Sequence, residues 1–264
     1  MTWGPAVFGG GTGIVDRDSV DSPSAVEFMR EALIKISEED IGAVAELLAR
    51  KHRALAPVLG ADALASANAE AVRPILARTF ATRRRTDEIL VKVGAPVLAT
   101  AIRDLLHGGG GIDARFRAFD EALEPIEAPV RRDLAGECLH FLDPERYWLW
   151  SRWMWDPQTM TGALPLVMVD DFDFDGPDAG AVYLRVGAAT AAVIATADEL
   201  GFKRMRASPF VVEVYLAAIY GIYLYTVTRL RMTQEFNRVL PQLPDLVRRL
   251  LGVRRLDEAV GHGA

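Results

Sequence analysis

Apolar residues recur every three or four positions along most of the chain from residue 23 to residue 142. That spacing places them on one face of an α-helix. Ser37 and Asn68 precede two of these stretches, where their side chains can accept hydrogen bonds from the first free backbone N–H groups of a helix. Pro96 kinks or divides a third stretch, because proline has no N–H to donate. With the stretches that follow, the pattern predicts about ten helices.

The predicted fold is therefore all-α, a multi-helix globular bundle. At most one short β element is expected, near residues 163–172, where ALPLVMVDDF has extended character. The glycine-rich FGGGTG near the N-terminus lacks the preceding strand and following helix of a phosphate-binding loop. The expected organisation is a flexible N-terminal arm (1–22), a single helical domain (23–252, with possible subdomains 23–112 and 113–252) and a C-terminal tail (253–264).

Residues 210–228, FVVEVYLAAIYGIYLYTVT, form the most apolar stretch of the chain. It is long enough to cross a bilayer, but Glu213 lies within it and tyrosines occur along its body instead of only at its ends. A buried core helix is predicted, with an oligomer face and membrane insertion as alternatives. In the structural interpretation, Glu213 bonds to Tyr hydroxyls or pairs with an arginine such as Arg185 or Arg206. In the functional interpretation, it is an acid with a raised pKa that transfers protons in a pocket.

Composition narrows the class of protein. The chain has 264 residues, half of them hydrophobic, which is enough for a sizeable core. Its net charge of −6 gives no overall basic field, so neither nucleic acid nor a membrane is the expected partner. A single cysteine and the absence of a recognisable signal peptide lead us to expect a soluble protein of the cytoplasm.

Four of the five tryptophans fall within eight residues, in a segment that Asp143-Pro144 opens and Asp156-Pro157 closes. We call residues 143–156 the aromatic segment. An aspartate cap followed by proline predicts a helix here. Such a helix is apolar nearly all round, so its rings are expected to form a core, a protein anchor or a stacking site. The candidate partner- or ligand-binding residues are Arg146, Tyr147, Trp148, Trp150, Arg152, Trp153, Trp155, Glu213 and Tyr220.

Two sets of side chains suggest metal binding. Asp171, Asp173 and Asp175, followed by glycine, resemble the opening of a calcium loop, but Val182 stands where the closing bidentate glutamate belongs. A helix-capping acidic loop is the alternative. The second set consists of two carboxylate–histidine pairs spaced as in di-metal carboxylate bundles. These pairs are Asp104 with His107, and Glu137 with His140.

No complete catalytic motif is present, so no catalytic residue or cofactor is identified. The leading hypothesis is a non-catalytic accessory subunit or self-associating module that uses the Trp/Arg-rich helix and the Tyr-rich apolar helix to contact a protein partner or a second copy. The first alternative is a helical enzyme or a cofactor- or metal-binding protein, with a pocket lined by Trp150, Trp153, Tyr220 and Glu213. The second is a nucleic-acid-binding helical domain that uses the arginine run 83–85 and the tryptophan cluster. For the arginine run, a solvated helix end is the simpler interpretation.

Overall fold

The computed structural model describes residues 16–197, 202, 205, 207–231 and 241–254. Eleven α-helices and no strand occur in these ranges, which confirms the predicted all-α fold. The helices are α1 (Ser22–Lys35), α2 (Glu38–Leu55), α3 (Ala61–Leu64), α4 (Ala69–Arg78), α5 (Thr86–Val93), α6 (Ala95–His107), α7 (Ile112–Ala122), α8 (Ala128–Leu142), α9 (Ala179–Ala197), α10 (Val211–Arg231) and α11 (Leu243–Leu250).

The helix starts predicted at Ser37 and Asn68 are confirmed. Ser37 and Asp40 form a capping box at the start of α2, and Asn68 accepts a hydrogen bond from the Ala71 N–H at the start of α4. Pro96 lies in the first turn of α6, and Gly94, with φ +86°, separates that helix from α5. Positive φ costs glycine little, so the chain turns sharply at this residue.

Helix α8 is the centre of the bundle. Every residue from Asp133 to Phe141 is buried, including four ionisable side chains. Helices α2, α6 and α7 pack against it, α9 packs against α7, and α10 packs against α1, α2 and α11. A helix enclosed on all sides brings its polar side chains into the protein interior, where they require partners.

Helices α9 and α10 are long and apolar enough to span a membrane by length and composition. Most of each candidate span is nevertheless buried inside the fold, 72% for residues 179–197 and 61% for residues 211–228. Core helices of globular proteins meet the same criteria, and the burial of residues 211–228 agrees with the core helix predicted there.

The predicted helix in the aromatic segment is wrong. Asp143 ends α8 instead of starting a helix, and the residues after it form turns and extended backbone. Side chains from neighbouring helices accept or donate the hydrogen bonds that a helix would have made internally. His140 bonds to the Tyr147 carbonyl oxygen at 2.9 Å, and the Tyr183 hydroxyl donates to the Trp148 carbonyl oxygen at 3.0 Å.

Residues 163–172 contain a 3-10 turn (Leu164–Leu166) where a β element was allowed. Their only bridge in the described structure joins Met168 to Val20. The last residues of the predicted N-terminal arm are therefore part of the folded domain. Val20 is buried, and Asp21 caps α1. Residues 1–15, with the glycine-rich stretch, and residues 255–264 of the predicted tail lie outside the described residues.

Candidate functional site

The tryptophans of the aromatic segment are part of the core. Their side chains are only 2–6% exposed, and the Trp150 indole N–H donates to the Trp155 carbonyl oxygen at 2.9 Å. Trp150 lies against α8 so closely that a Cβ on Gly136 would be 2.1 Å from the Trp150 carbonyl oxygen. Phe116 lies 5.4 Å from the Trp150 ring, measured between centroids. A protein docking on the surface would therefore meet little of these rings.

The segment also forms one wall of a cavity of about 380 Å³. The other walls come from α2, α8, α10, the end of α11 and the turn that joins α4 to α5. Its lining combines aromatic and aliphatic side chains with a small number of polar ones, namely Lys51, Phe80, Ala81, Asp133, Glu137, Phe141, Leu149, Ser151, Arg152, Trp153, Tyr220, Leu250 and Leu251. This size and composition are typical of small-molecule sites.

A buried ion pair between Lys51 and Glu137 lines the cavity. Lys51 Nζ lies 2.5 Å from Glu137 Oε2, and both side chains are more than 90% buried. The second carboxylate oxygen of Glu137 accepts a hydrogen bond from the Phe80 N–H at 2.9 Å. The Lys51 ammonium also lies 4.4 Å from the centroid of the Phe141 ring. A charge pair removed from water is stable only with such additional contacts, so these four residues form one positioned unit.

A second acid lines the same cavity one helical turn before Glu137. Asp133 accepts hydrogen bonds from the backbone N–H and from Nε of Arg152, each at 2.8 Å. Burial raises the pKa of Asp133 to about 6, although the Arg152 guanidinium opposes the rise. Asp133 can therefore gain or lose a proton near neutral pH, a property that is concentrated at functional sites.

Ser151 adds a hydrogen-bonding group without a partner. Its hydroxyl is buried and makes no hydrogen bond within the described part of the chain, yet the residue lines the cavity. An unsatisfied buried polar atom is unfavourable unless water or a ligand bonds to it. Ser151 thus places a buried hydroxyl without a hydrogen-bond partner among the described residues in the wall of the cavity.

Glu213 lies outside this cavity, in the core beside α8. Its Oε1 lies 3.3 Å from His140 Nε2, and both side chains are almost fully buried. Burial raises the pKa of Glu213 to about 8 and lowers the pKa of His140 to about 4. Because His140 Nδ1 must donate to the Tyr147 carbonyl oxygen, Nε2 carries the lone pair that faces Glu213. At neutral pH the contact therefore joins a protonated acid to a neutral imidazole.

The arginine partner predicted for Glu213 is not Arg185. That side chain is exposed and bonds to Asp173, through both the backbone oxygen and the carboxylate, at 3.1 Å. Arg206, the other predicted partner, lies outside the described residues. Burial favours the neutral form of the Glu213 carboxyl, which is the cause of its raised pKa.

The structure gives the metal hypotheses no support. No group of three or more His, Cys, Asp or Glu side chains across the described ranges is arranged to hold a metal ion. Asp171, Asp173 and Asp175 are exposed, and one oxygen of Asp173 accepts from the Asp175 N–H.

The two carboxylate–histidine pairs serve different local contacts. His107 bonds to the Leu59 carbonyl oxygen at 2.8 Å, and the exposed Asp104 pairs with the adjacent Arg103. Glu137 forms an ion pair with Lys51, and His140 contacts Glu213. Each pair is therefore accounted for by contacts within the bundle.

The structure brings together four of the predicted site residues at the cavity, namely Glu137, Arg152, Trp153 and Tyr220. Trp150, predicted to share that pocket with Glu213, is buried in the core and is not one of the described residues that line the cavity. Of the remaining predicted residues, Arg146 is exposed and lies 5.2 Å from the Tyr147 ring centroid.

Sequence reasoning missed Lys51, Asp133 and Ser151. The sequence did contain a signal for Lys51, because this residue lies on the same helical face of α2 as the apolar Val44 and Leu48. A charged residue on the inward face of a helix indicates a buried partner.

Comparison with protein-family models, with curated proteins and with solved structures finds no match to this chain.

Proposed function

We propose that the protein binds a small, largely apolar organic molecule in the cavity beside the aromatic segment. The observation that supports this most directly is the Ser151 hydroxyl, which lines a cavity of about 380 Å³ and makes no hydrogen bond within the described structure. Trp153 and Phe141 supply aromatic side chains to the cavity lining. Asp133 adds a group that titrates near neutral pH.

The charges in the wall favour a ligand with little net charge. Lys51 is neutralised by Glu137, and Asp133 by Arg152, so the wall contains polar groups but no uncompensated ion. A flat molecule with one or two hydrogen-bonding groups matches such a surface, because a charged ligand would lose its hydration without gaining an opposite charge.

Saturation-transfer NMR with a library of aromatic heterocycle fragments tests this proposal. Ala81→Phe fills the cavity, while Ala77→Phe makes the same change on the exposed face of α4 as a control. We expect fragments that bind the wild type and the control but not Ala81→Phe. Ser151→Ala is expected to weaken the affinity about fivefold, the value of one hydrogen bond. Fragments that bind Ala81→Phe as well as the wild type would exclude this site.

A second candidate function is supported by α10. Tyr220 and Tyr223 stack with ring centroids 5.8 Å apart, and both are only half-buried, as is Tyr225. Half-buried tyrosines are common at protein interfaces. We propose that this face contacts a partner subunit or a second copy of the chain in the cytoplasm, the location expected from the composition.

Light scattering after size-exclusion chromatography tests the self-association form of this second proposal. Tyr223→Ala should reduce the mass from that of an oligomer to that of a monomer. Tyr147→Ala, a change in the core, distinguishes loss of an interface from loss of the fold when circular dichroism is measured in parallel. A wild-type protein that elutes as a monomer at all concentrations would argue against self-association.

A further inference from the structure

A second, strongly basic cavity lies beside the first and shares Phe80 and Ala81 with it. It has a volume of about 580 Å³, and six of its nine lining residues are arginines, with no acidic residue among them. The six are Arg83, Arg84, Arg85, Arg248, Arg249 and Arg254. On a chain with a net charge of −6, this concentration of positive charge is local to one concave surface.

Hydrogen bonds hold the turn before α5, which contributes half of these arginines. Thr82 Oγ1 donates to the Leu76 carbonyl oxygen at 2.7 Å, and the Arg83 N–H donates to the Thr79 carbonyl oxygen at 3.0 Å. The Phe80 N–H is bonded to the buried carboxylate of Glu137. The turn is thus anchored to α8, and its guanidinium groups project from a fixed backbone.

The end of α11 supplies the other half. Gly252 has φ +71°, and a Cβ there would be 2.9 Å from Phe80 Cβ, so glycine permits the close approach of the helix end to the turn. The Val253 N–H donates to the Arg248 carbonyl oxygen, and the Gly252 N–H donates to the Arg249 carbonyl oxygen. These hydrogen bonds fix the backbone at the end of α11, which carries Arg248 and Arg249.

Some of these arginines form ion pairs within the described part of the protein, and others do not. Arg85 forms ion pairs with Glu88 and Glu127, and Arg248 lies 3.7 Å from the Asp40 carboxylate. These three acids do not line the cavity. Arg84 and Arg249 are exposed, and no carboxylate of the described chain lies within ion-pair distance of either. A guanidinium presents paired N–H donors that match the oxygens of a phosphate group.

We infer that this basic cavity binds the phosphate groups of a small phosphorylated molecule, with Arg84 and Arg249 as the principal contacts. A compact ligand fits better than nucleic acid, because the positive charge is confined to one cavity instead of forming a stripe along the surface. The inference does not depend on the ligand proposed for the neighbouring cavity.

Calorimetric titration of the full chain with tripolyphosphate, at fixed ionic strength, tests the inference. We expect saturable binding that Arg84→Ala/Arg249→Ala weakens by about tenfold or more, since each lost contact is a charged hydrogen bond. The matched control is Arg53→Ala/Arg73→Ala, which removes two exposed arginines elsewhere on the surface. It should leave the affinity within about twofold of the wild type.

Three results would overturn the inference. The first is the absence of saturable heat up to millimolar tripolyphosphate. The second is equal weakening by both double variants, which would indicate general charge attraction. The third is tighter binding of a single-stranded oligonucleotide or of phosphatidylserine vesicles than of tripolyphosphate, lost in Arg84→Ala/Arg249→Ala, which would assign the cavity to a macromolecule or a membrane surface.

Discussion

Replacing Glu213 with glutamine should make the stability of the protein less dependent on pH between pH 6.5 and pH 8. Glutamine has the shape of the protonated acid and cannot ionise. Its amide can donate to His140 Nε2, which lies 3.3 Å from Glu213 Oε1. The substitution therefore preserves the contact between two neutral groups found at neutral pH and removes the charge that burial disfavours.

The size of the effect follows from the pKa shifts. Glu213 has a usual pKa of 4.5 that burial raises to about 8, so the stability it contributes is complete below pH 4.5 and is lost as the pH rises to 8. Burial lowers the pKa of His140 from 6.5 to about 4, so this group makes the protein more stable as the pH rises between those values. Burial raises the pKa of Asp133 from 3.8 to about 6, so this group, like Glu213, makes the protein less stable as the pH rises to 6.

Above pH 6.5, Glu213 is the only one of these three groups that still titrates differently in the folded and unfolded chains. One such group changes the free energy of unfolding by about 1.4 kcal/mol per pH unit. Wild-type protein should therefore lose about 2 kcal/mol between pH 6.5 and pH 8. Glu213→Gln should show no such loss.

Urea unfolding followed by tryptophan fluorescence measures this difference, because four buried tryptophans become exposed. Glu121→Gln, at an exposed carboxylate, is the control and should keep the wild-type dependence. The reasoning is refuted if the wild type is equally stable at both pH values, or if Glu213→Gln loses as much stability as the wild type.

Other predictions concern the packing around α8. Lys51→Met should destabilise the fold by about 3–5 kcal/mol because it leaves the buried Glu137 carboxylate without its cation, and Lys51→Met/Glu137→Leu should recover much of that loss in urea titrations. Recovery that fails to occur would show that the pair is needed for more than mutual neutralisation. Gly136→Ala should cost about 3 kcal/mol or more in thermal unfolding, because the added Cβ would meet the Trp150 carbonyl oxygen at 2.1 Å. Gly42→Ala, on an exposed helical position with nothing within 4 Å, should instead stabilise the protein by about 1 kcal/mol, and equal effects of the two glycine changes would contradict the assigned packing.

Local patterns were sufficient for most of the helices. Caps such as Ser37 and Asn68 and breaks such as Pro96 act through hydrogen bonds to near neighbours in the chain, and those bonds are readable from spacing. The same reasoning failed in the aromatic segment. There, Asp143-Pro144 has the features of a helix start, but the backbone is bonded to the side chains of His140 and Tyr183 instead of to itself.

In the candidate site, too, local sequence patterns predicted some features and missed others. Glu137, Trp153 and Tyr220 could be selected as chemically notable, but nothing local indicated that Lys51, 86 residues before Glu137, would be its partner. The sequence by itself determined the helical class and a chain able to form a large core, and it favoured burial of α10 over an oligomer face or a membrane span. Tertiary structure alone decided which charges meet, which acid stays protonated and where the two cavities lie, because the free energy of a buried charge depends on neighbours that only the folded chain brings within a few ångströms.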